Sequence, residues 1–228
     1  MGEENETSKF LRFIGILLMG LTAALLLLAG IGTTCVALGA EKYPSMVSLV
    51  EYKWLYQVFV VLTVLVGIYA IRATVSLVRK AKNAYRQALV ALVAGLVIGG
   101  IHMIVSLSLR GSSAPVNFVF YINAFTLLVF LIFRIPGIWG KLDFEGTPDE
   151  TNGDYTAGAA LIMSGFLTLT VHLWAGSSHT WNGFNYANAW HTQLAVISWG
   201  LIICGALFAG RATFRRDQTS LQIHKSIG

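Results

Sequence analysis

Charged side chains are scarce in this chain, and their scarcity decides the class of protein. Asp, Glu, Lys and Arg make up 12% of the 228 residues, whereas 55% are hydrophobic and the mean hydropathy is +0.66. A soluble domain carries about 25% charged residues, so this chain has too few polar groups to cover a surface that faces water. Its long apolar runs instead predict an all-α, polytopic membrane protein.

Several functional signatures are also missing. The two cysteines, Cys35 and Cys204, fall in different predicted spans and at different depths, so we expect no disulfide between them. The sequence contains no phosphate-binding loop, no GxSxG or HExxH motif and no CxxC pair. No series of acidic residues crosses the apolar segments, which argues against transport of a charged solute. The net charge of +5 reports membrane topology and does not indicate nucleic-acid binding.

Six apolar segments have the length that a bilayer requires, which is about 20 helical residues for about 30 Å of hydrocarbon. The predicted spans are 10–38, 54–73, 88–109, 116–133, 157–174 and 191–208. The first is predicted to be a retained span, since it is too long for the apolar part of a signal peptide. The predicted divisions are a tail (1–9), a four-span part (10–141), an acidic linker (142–156), a two-span hairpin (157–213) and a basic tail (214–228).

The distribution of basic residues predicts the orientation of the bundle. Of the 16 Lys and Arg residues, three (Lys42, Lys53 and Arg110) fall on one side, which leaves 13 on the side of both termini. The positive-inside rule therefore places both termini in the cytoplasm of a bacterial-type inner membrane. Tryptophans favour the interfaces, and they fit this scheme: Trp54, Trp174, Trp181 and Trp190 at the outer side and Trp139 at the inner side.

One histidine lies well inside a predicted span. His102 comes 14 residues after the start of the third span, which is about 21 Å along a helix. An ionisable residue at such a depth is a functional-site hypothesis. Gly95 and Gly99 precede it in a GxxxG pair, which lets another helix or a flat cofactor approach the backbone. The alternative is a neutral histidine that donates one hydrogen bond to a neighbouring helix.

The stretch HLWAGSSHTWNGFNYANAWH, residues 172–191, joins the last two predicted spans. It contains three of the five histidines, namely His172, His179 and His191. The predicted topology puts all three on the same membrane face as His102. They either take part in a site, or they belong to an aromatic, hydrogen-bonding loop at the membrane surface. The amphiphilic segment 43–53 at the same face is predicted to be an interfacial connector or a lid.

Three kinds of site are compatible with these residues. A b-type haem would need His102 to face either His172 or His191. A quinone head group could be bound by His102, Tyr121 and Asn123, with Arg110 nearby and Gly99 making room. A zinc or copper ion would need three imidazoles, which His172, His179 and His191 could supply.

The sequence therefore predicts an integral membrane anchor or accessory subunit, with a haem or quinone site near its outer face, in a redox assembly. The lipid bilayer and other membrane subunits, or a second copy of the chain, are the expected partners. One alternative is a small transporter or channel for a neutral or weakly polar solute, with its pocket between the four-helix part and the hairpin. Another is a metalloenzyme that faces outward.

Overall fold

The computed structural model describes residues 2–142, 144, 146, 150–176, 180–181 and 183–227. Their α-helices are α1 (Gly2–Gly39), α2 (Lys53–Val78), α3 (Ala84–Arg110), α4 (Val116–Phe133), α5 (Pro136–Trp139), α6 (Glu150–Leu169), α7 (Val171–Trp174) and α8 (His191–Ile227). Shorter 3-10 segments are Ala40–Lys42, Pro44–Tyr52 and Tyr186–Trp190. Two short strands, β1 (Thr180–Trp181) and β2 (Phe184–Asn185), pair in antiparallel fashion. The prediction of a helical architecture is confirmed.

Five helical segments among the described residues are long and apolar enough to cross a membrane: Glu6–Lys42, Pro44–Val78, Ala84–Arg110, Val116–Phe133 and Asn188–Arg216. Helix α6, which contains most of the predicted fifth span, is not one of them. Its first turns carry Glu150, Asn152 and Asp154, so its apolar part is short. Length and composition therefore do not confirm the predicted count of six spans.

The helix ends differ most from the predicted ends in α1, α6 and α8. Helix α1 begins at Gly2, within the predicted tail, and α6 begins at Glu150, within the predicted linker. Helix α8 continues to Ile227, well past the predicted end at residue 208. The physical reason is that hydropathy marks where contact with lipid ends, whereas a helix can continue into water. The fifth predicted segment is also divided, because α6 ends at Leu169 and α7 begins at Val171.

Helix α1 is central, since it packs against α2, α4 and α6. Its contact with α2 is close at two glycines. A Cβ atom on Gly30 would lie 2.7 Å from the Val64 side chain, and one on Gly67 would lie 2.8 Å from the Leu27 side chain. Residue numbers thus fall in α2 as they rise in α1, with both contacts adding up to 94, so the two helices run antiparallel. Small residues allow this approach, as is usual for helices packed in a membrane.

Helices α6 and α8 form a second close pair. A Cβ atom on Gly158 would lie 2.7 Å from the carbonyl oxygen of Gly205, and one on Gly165 would lie 2.8 Å from that of Ser198. These pairs both add up to 363, so α8 runs antiparallel beside α6 in one continuous register. Helices α6 and α8 are therefore a closely packed antiparallel pair, and α6 also packs against α1.

The helix connections define two ends of the bundle. The histidine end is formed by residues 40–53, 111–115, 170–176 and 183–191, and the basic end by residues 79–83 and 134–142. At the basic end, the buried Arg12 side chain donates to the carbonyl oxygens of Leu77 and Val78, at 3.3 and 2.7 Å. These carbonyls belong to the last turn of α2, where a cation stabilises the helix.

Candidate ligand chamber and histidine pair

A cavity of about 190 Å³ lies at the histidine end of the bundle. We call it the chamber. Its wall is contributed by α1, α2, α3, α4, α7, α8 and the 3-10 segment Pro44–Tyr52. Most of the lining is apolar, and the polar or sulfur-bearing side chains on it come from Thr33, Thr34, Cys35, Tyr43, Met46, Tyr56, His102, Ser106, Arg110 and the two tryptophans Trp174 and Trp190.

The segment Pro44–Tyr52 forms part of the chamber wall. Its Met46 and Leu49 side chains are buried and line the chamber. The segment is tied to its surroundings by an ion pair between Lys53 Nζ and Glu41 Oε2, at 3.0 Å. The segment therefore packs on the bundle and closes one side of the chamber, which is compatible with both predicted roles, connector and lid.

Three chamber residues form one stripe on α3. His102, Ser106 and Arg110 are four residues apart, and this spacing places them one above the other on the same helix face. The Ser106 Oγ atom is hydrogen-bonded to the Tyr56 hydroxyl group of α2, at 3.0 Å. The stripe therefore supplies a polar strip along a wall that is otherwise mainly apolar.

The His102 ring is buried, with 4% of the residue exposed. It stacks on Phe59 with 4.4 Å between ring centroids, and it meets Tyr56 edge-on at 5.4 Å. Among the described residues, neither nitrogen of the His102 ring has a hydrogen-bond partner, and these aromatic contacts are the interactions that hold the ring. A neutral imidazole has one N–H donor and one acceptor nitrogen, so both are available to a ligand in the chamber.

Arg110 supplies the positive charge of the chamber wall. Its Nε atom donates to the carbonyl oxygen of Ser112 at 2.8 Å, and its Nη2 atom donates to that of Ala114. These bonds hold the guanidinium in place but use two of its five N–H groups. Among the described residues that line the chamber, none is Asp or Glu. The wall therefore favours a ligand with hydrogen-bond acceptors.

A smaller cavity of about 20 Å³ lies on the other side of His102, where Gly95, Gly99 and Asn123 also line it. Asn123 is buried and donates from Nδ2 to the Leu92 carbonyl oxygen at 3.1 Å, while its Oδ1 atom has no partner among the described residues. A Cβ atom on Gly95 would lie 2.6 Å from Asn123 Nδ2, so the glycine is needed for this contact. The structure thus brings together His102, Gly99 and Asn123 of the predicted site.

Tyr121 does not join this group. It is 61% exposed and contacts Phe120, on the outside of the bundle. Tyr121 is two residues from the buried Asn123, which places the two side chains about 200° apart around α4. The prediction that both residues contact one ligand therefore needs correction, since only Asn123 faces the interior.

His172 of α7 and His191, the first residue of α8, form a pair. Their ring centroids are 5.9 Å apart with an angle of 70° between the planes. Neither histidine is among the described residues that line the chamber, although their neighbours Val171, Trp174 and Trp190 are. The chamber therefore does not place His102 opposite His172 or His191, as the predicted haem site would require.

The predicted metal site is brought together in part. His172 and His191 are adjacent, whereas His179 lies outside the described residues. Within the described part of the chain, no group of three or more His, Cys, Asp or Glu residues could hold a metal ion. The His172 Nδ1 atom is buried and without a hydrogen-bond partner among these residues, a situation that costs about 1–3 kcal/mol.

Tyr56, Phe59 and Ser106 were not singled out from the sequence. Phe59 and Tyr56 are aromatic residues in an apolar span, where such residues are usual, and Ser106 resembles any small residue that packs between helices. One signal was present, namely the spacing of four residues from His102 to Ser106 and from Ser106 to Arg110. It puts a titratable, a hydroxyl and a basic group on one face of the helix.

Comparisons with known proteins do not provide a function. No protein-family model matches the chain, and neither the curated proteins nor the solved structures contain a significant match. The function must therefore be argued from the chemistry of the sites themselves.

Proposed function

We propose that this protein is a multi-pass membrane protein that binds the head group of a quinone in the chamber, as a membrane subunit of a redox assembly. The observation that carries the proposal is the composition of the chamber wall. A mainly apolar cavity presents the unpaired His102 imidazole and the Arg110 guanidinium from one face of α3. A quinone combines the two properties that this wall favours, an apolar ring and carbonyl acceptors.

The size of the chamber supports a single ring. An engineered apolar cavity of about 150 Å³ in another protein accepts benzene, so about 190 Å³ suits one substituted six-membered ring. His102 and Arg110 are two helical turns apart, or about 12 Å along the axis. Donors are thus present at two levels of the wall, with the Tyr56–Ser106 hydroxyl pair between them.

The same observations favour a quinone over a haem. Bis-histidine ligation needs two imidazoles that reach the same iron from different helices. Among the described residues of the chamber wall, His102 is the single histidine, and Phe59 covers one face of its ring. The chamber is also of the size of one ring rather than of a macrocycle.

The proposal includes six spans with both termini in the cytoplasm. Helix α6 packs against both α1 and α8, and its polar residues Thr156, Ser164 and Thr168 are buried within the bundle, whereas its apolar Met163 and Phe166 side chains are exposed, as contact with lipid requires. Asp154 pairs with Arg215 of α8 at 3.4 Å, and Trp174 lies in the chamber wall. The helical segments between these two residues span about 30 Å. That distance matches the hydrocarbon thickness. The excess of basic residues at the opposite end from the chamber supports the orientation.

Partners follow from the same proposal. Side chains such as Trp199, Ile203 and Leu207 leave a broad apolar face on α8 exposed, which suits contact with lipid or with another membrane subunit. A redox assembly would add electron-transfer subunits, and these should co-purify with the protein from its native membrane.

Titration of the purified protein in lipid nanodiscs with a short-tailed quinone tests the proposal. Trp174 and Trp190 line the chamber, so quenching of tryptophan fluorescence should report saturable binding. Loss of a buried hydrogen bond costs about 1–3 kcal/mol, and 1.4 kcal/mol is tenfold in affinity. We therefore expect His102→Leu to weaken binding by roughly five- to 140-fold.

Tyr121→Phe is the matched control, because Tyr121 is exposed on the outside of the bundle. It should bind the quinone like the wild type. Equal affinities of the wild type and His102→Leu would contradict the proposal, as would a Soret band in the purified protein. A fatty acid with the same tail serves as a competitor. If it displaces the quinone at equal concentration, the chamber binds amphiphiles in general and the quinone assignment is wrong.

A further inference from the structure

Two imidazoles from different helices meet at the histidine end, outside the chamber. His172 and His191 are 19 residues apart in the chain, and their ring centroids are 5.9 Å apart. The hairpin of α6 and α8 brings them together, because His172 follows α6 in the short helix α7 and His191 is the first residue of α8. We propose that His172 and His191 bind one divalent transition-metal ion, with Zn²⁺ and Cu²⁺ as the best candidates.

The distance between the rings fits a shared ion. Imidazole nitrogens bind zinc at about 2.0–2.1 Å, so a bound ion lies about 3 Å from each ring centre and the two centres are then roughly 5–6 Å apart. The observed distance of 5.9 Å is at the upper end of this range. The two rings are inclined by 70° rather than stacked. A small rotation of the rings is therefore enough to direct one nitrogen of each towards a common point.

The state of His172 gives a second, independent observation. Its Nδ1 atom is buried and has no hydrogen-bond partner among the described residues, whereas buried polar atoms in proteins are nearly always paired. Its backbone carbonyl oxygen accepts a hydrogen bond from Asn185 Nδ2 at 3.2 Å. His172 is thus held by the strand segment while its side chain keeps unused capacity to bind a ligand.

The surroundings decide which ion is suitable. His191 is exposed, so an ion can enter from water and can keep water molecules at its remaining positions. Neutral imidazole ligands suit zinc and copper, whereas calcium and magnesium require oxygen ligands. The site is separate from the chamber, and its failure would leave the proposed quinone site unaffected.

Copper is the sharpest probe of this site, because the electron paramagnetic resonance spectrum of bound Cu²⁺ reports its nitrogen ligands. We expect the wild-type protein in nanodiscs to bind one Cu²⁺ with two coupled imidazoles. His172→Gln and His191→Gln should each lower the affinity for Cu²⁺ and for Zn²⁺ at least tenfold and should remove one imidazole from the spectrum. The matched control is His224→Gln, about 50 Å further along α8, which should leave the affinity and the spectrum unchanged.

A thermal measurement separates metal binding from damage to the fold. An ion that binds the folded state raises its stability, so Zn²⁺ should raise the melting temperature of the wild type and of His224→Gln but not of His172→Gln. A melting temperature in the absence of metal that is close to the wild-type value verifies that the histidine variants are folded. The proposal is wrong if the wild type shows no stoichiometric copper binding, or if folded His172→Gln and His191→Gln bind copper like the wild type.

Discussion

The contact between α6 and α8 gives the sharpest prediction about the fold, because the same helix offers a substitution and its own control. A Cβ atom on Gly205 would lie 2.7 Å from the carbonyl oxygen of Gly158 and 3.0 Å from the backbone nitrogen of Ile162. A Cβ atom on Gly200, also in α8, would meet nothing within 4 Å. Gly205→Ala and Gly200→Ala are therefore the same chemical change in a packed and in an open environment.

The magnitude follows from two opposing terms. Alanine is favoured over glycine inside a helix by about 0.8–1.0 kcal/mol, and this gain applies to both variants. Overpacking costs typically about 1–3 kcal/mol, and it applies at Gly205, where two of the three close atoms belong to the backbone and cannot rotate away, the third being Ile162 Cγ1 at 2.7 Å. Gly205→Ala should thus be less stable than Gly200→Ala by about 2 kcal/mol. For a chain of this size, that difference corresponds to roughly 4–8 °C in melting temperature.

Thermal unfolding of both variants and of the wild type in the same detergent measures this difference. Gly200→Ala should melt at or slightly above the wild-type temperature, and Gly205→Ala should melt below it. If both variants shift equally, α6 and α8 do not approach each other at Gly158 and Gly205. The antiparallel register of α6 and α8 would then be wrong.

Three further results are expected. In a double-mutant cycle, Thr22→Val and Thr126→Val should show a coupling free energy of about 0.6–1.7 kcal/mol. The hydroxyl oxygens of Thr22 in α1 and Thr126 in α4 are 2.8 Å apart. Purely additive effects of the two substitutions on stability would contradict this contact. Tyr56→Phe should weaken quinone binding by about two- to fivefold, which is less than the effect of His102→Leu. The Tyr56 hydroxyl group already bonds Ser106, and one neutral hydrogen bond contributes about 0.5–1 kcal/mol. A larger loss than that of His102→Leu would make Tyr56 the main ligand contact. Green fluorescent protein fused to the N-terminus and, in a separate strain, to the C-terminus should fluoresce in both strains, because both termini are proposed to lie in the cytoplasm. Fluorescence of only one fusion would indicate an odd number of spans.

The helical class and the approximate course of the chain were predictable, because apolar run length is a local property. Helix α4 has the predicted ends, Val116 and Phe133, and α3 extends the predicted segment by a few residues. His102 falls inside α3, as the residue count predicts, and it is buried. Helix α6 packs on α8.

The directions in which side chains point were not predictable in the same way. In a soluble helix, the polar face indicates the solvent side. In a bundle that faces lipid, the outer face is as apolar as the inner one, so the sequence of α4 does not tell that Asn123 points inward and Tyr121 outward. The span count met a related difficulty, since polar residues such as Thr156, Ser164 and Thr168 lower the hydropathy of α6 although their side chains are buried within the bundle.

Residue order alone indicates a helical protein with long apolar segments and shows where the basic residues lie along the chain, and it predicts that four histidines share one face of the membrane. Tertiary packing decided the rest. It assigned His102 to the chamber with Arg110 and Ser106, and it paired His172 with His191 outside the chamber. The reason is that membership of a site depends on the rotation of each helix about its axis. That rotation is set by contacts such as Gly95 on Asn123 and Gly158 on Gly205, between residues far apart in the chain.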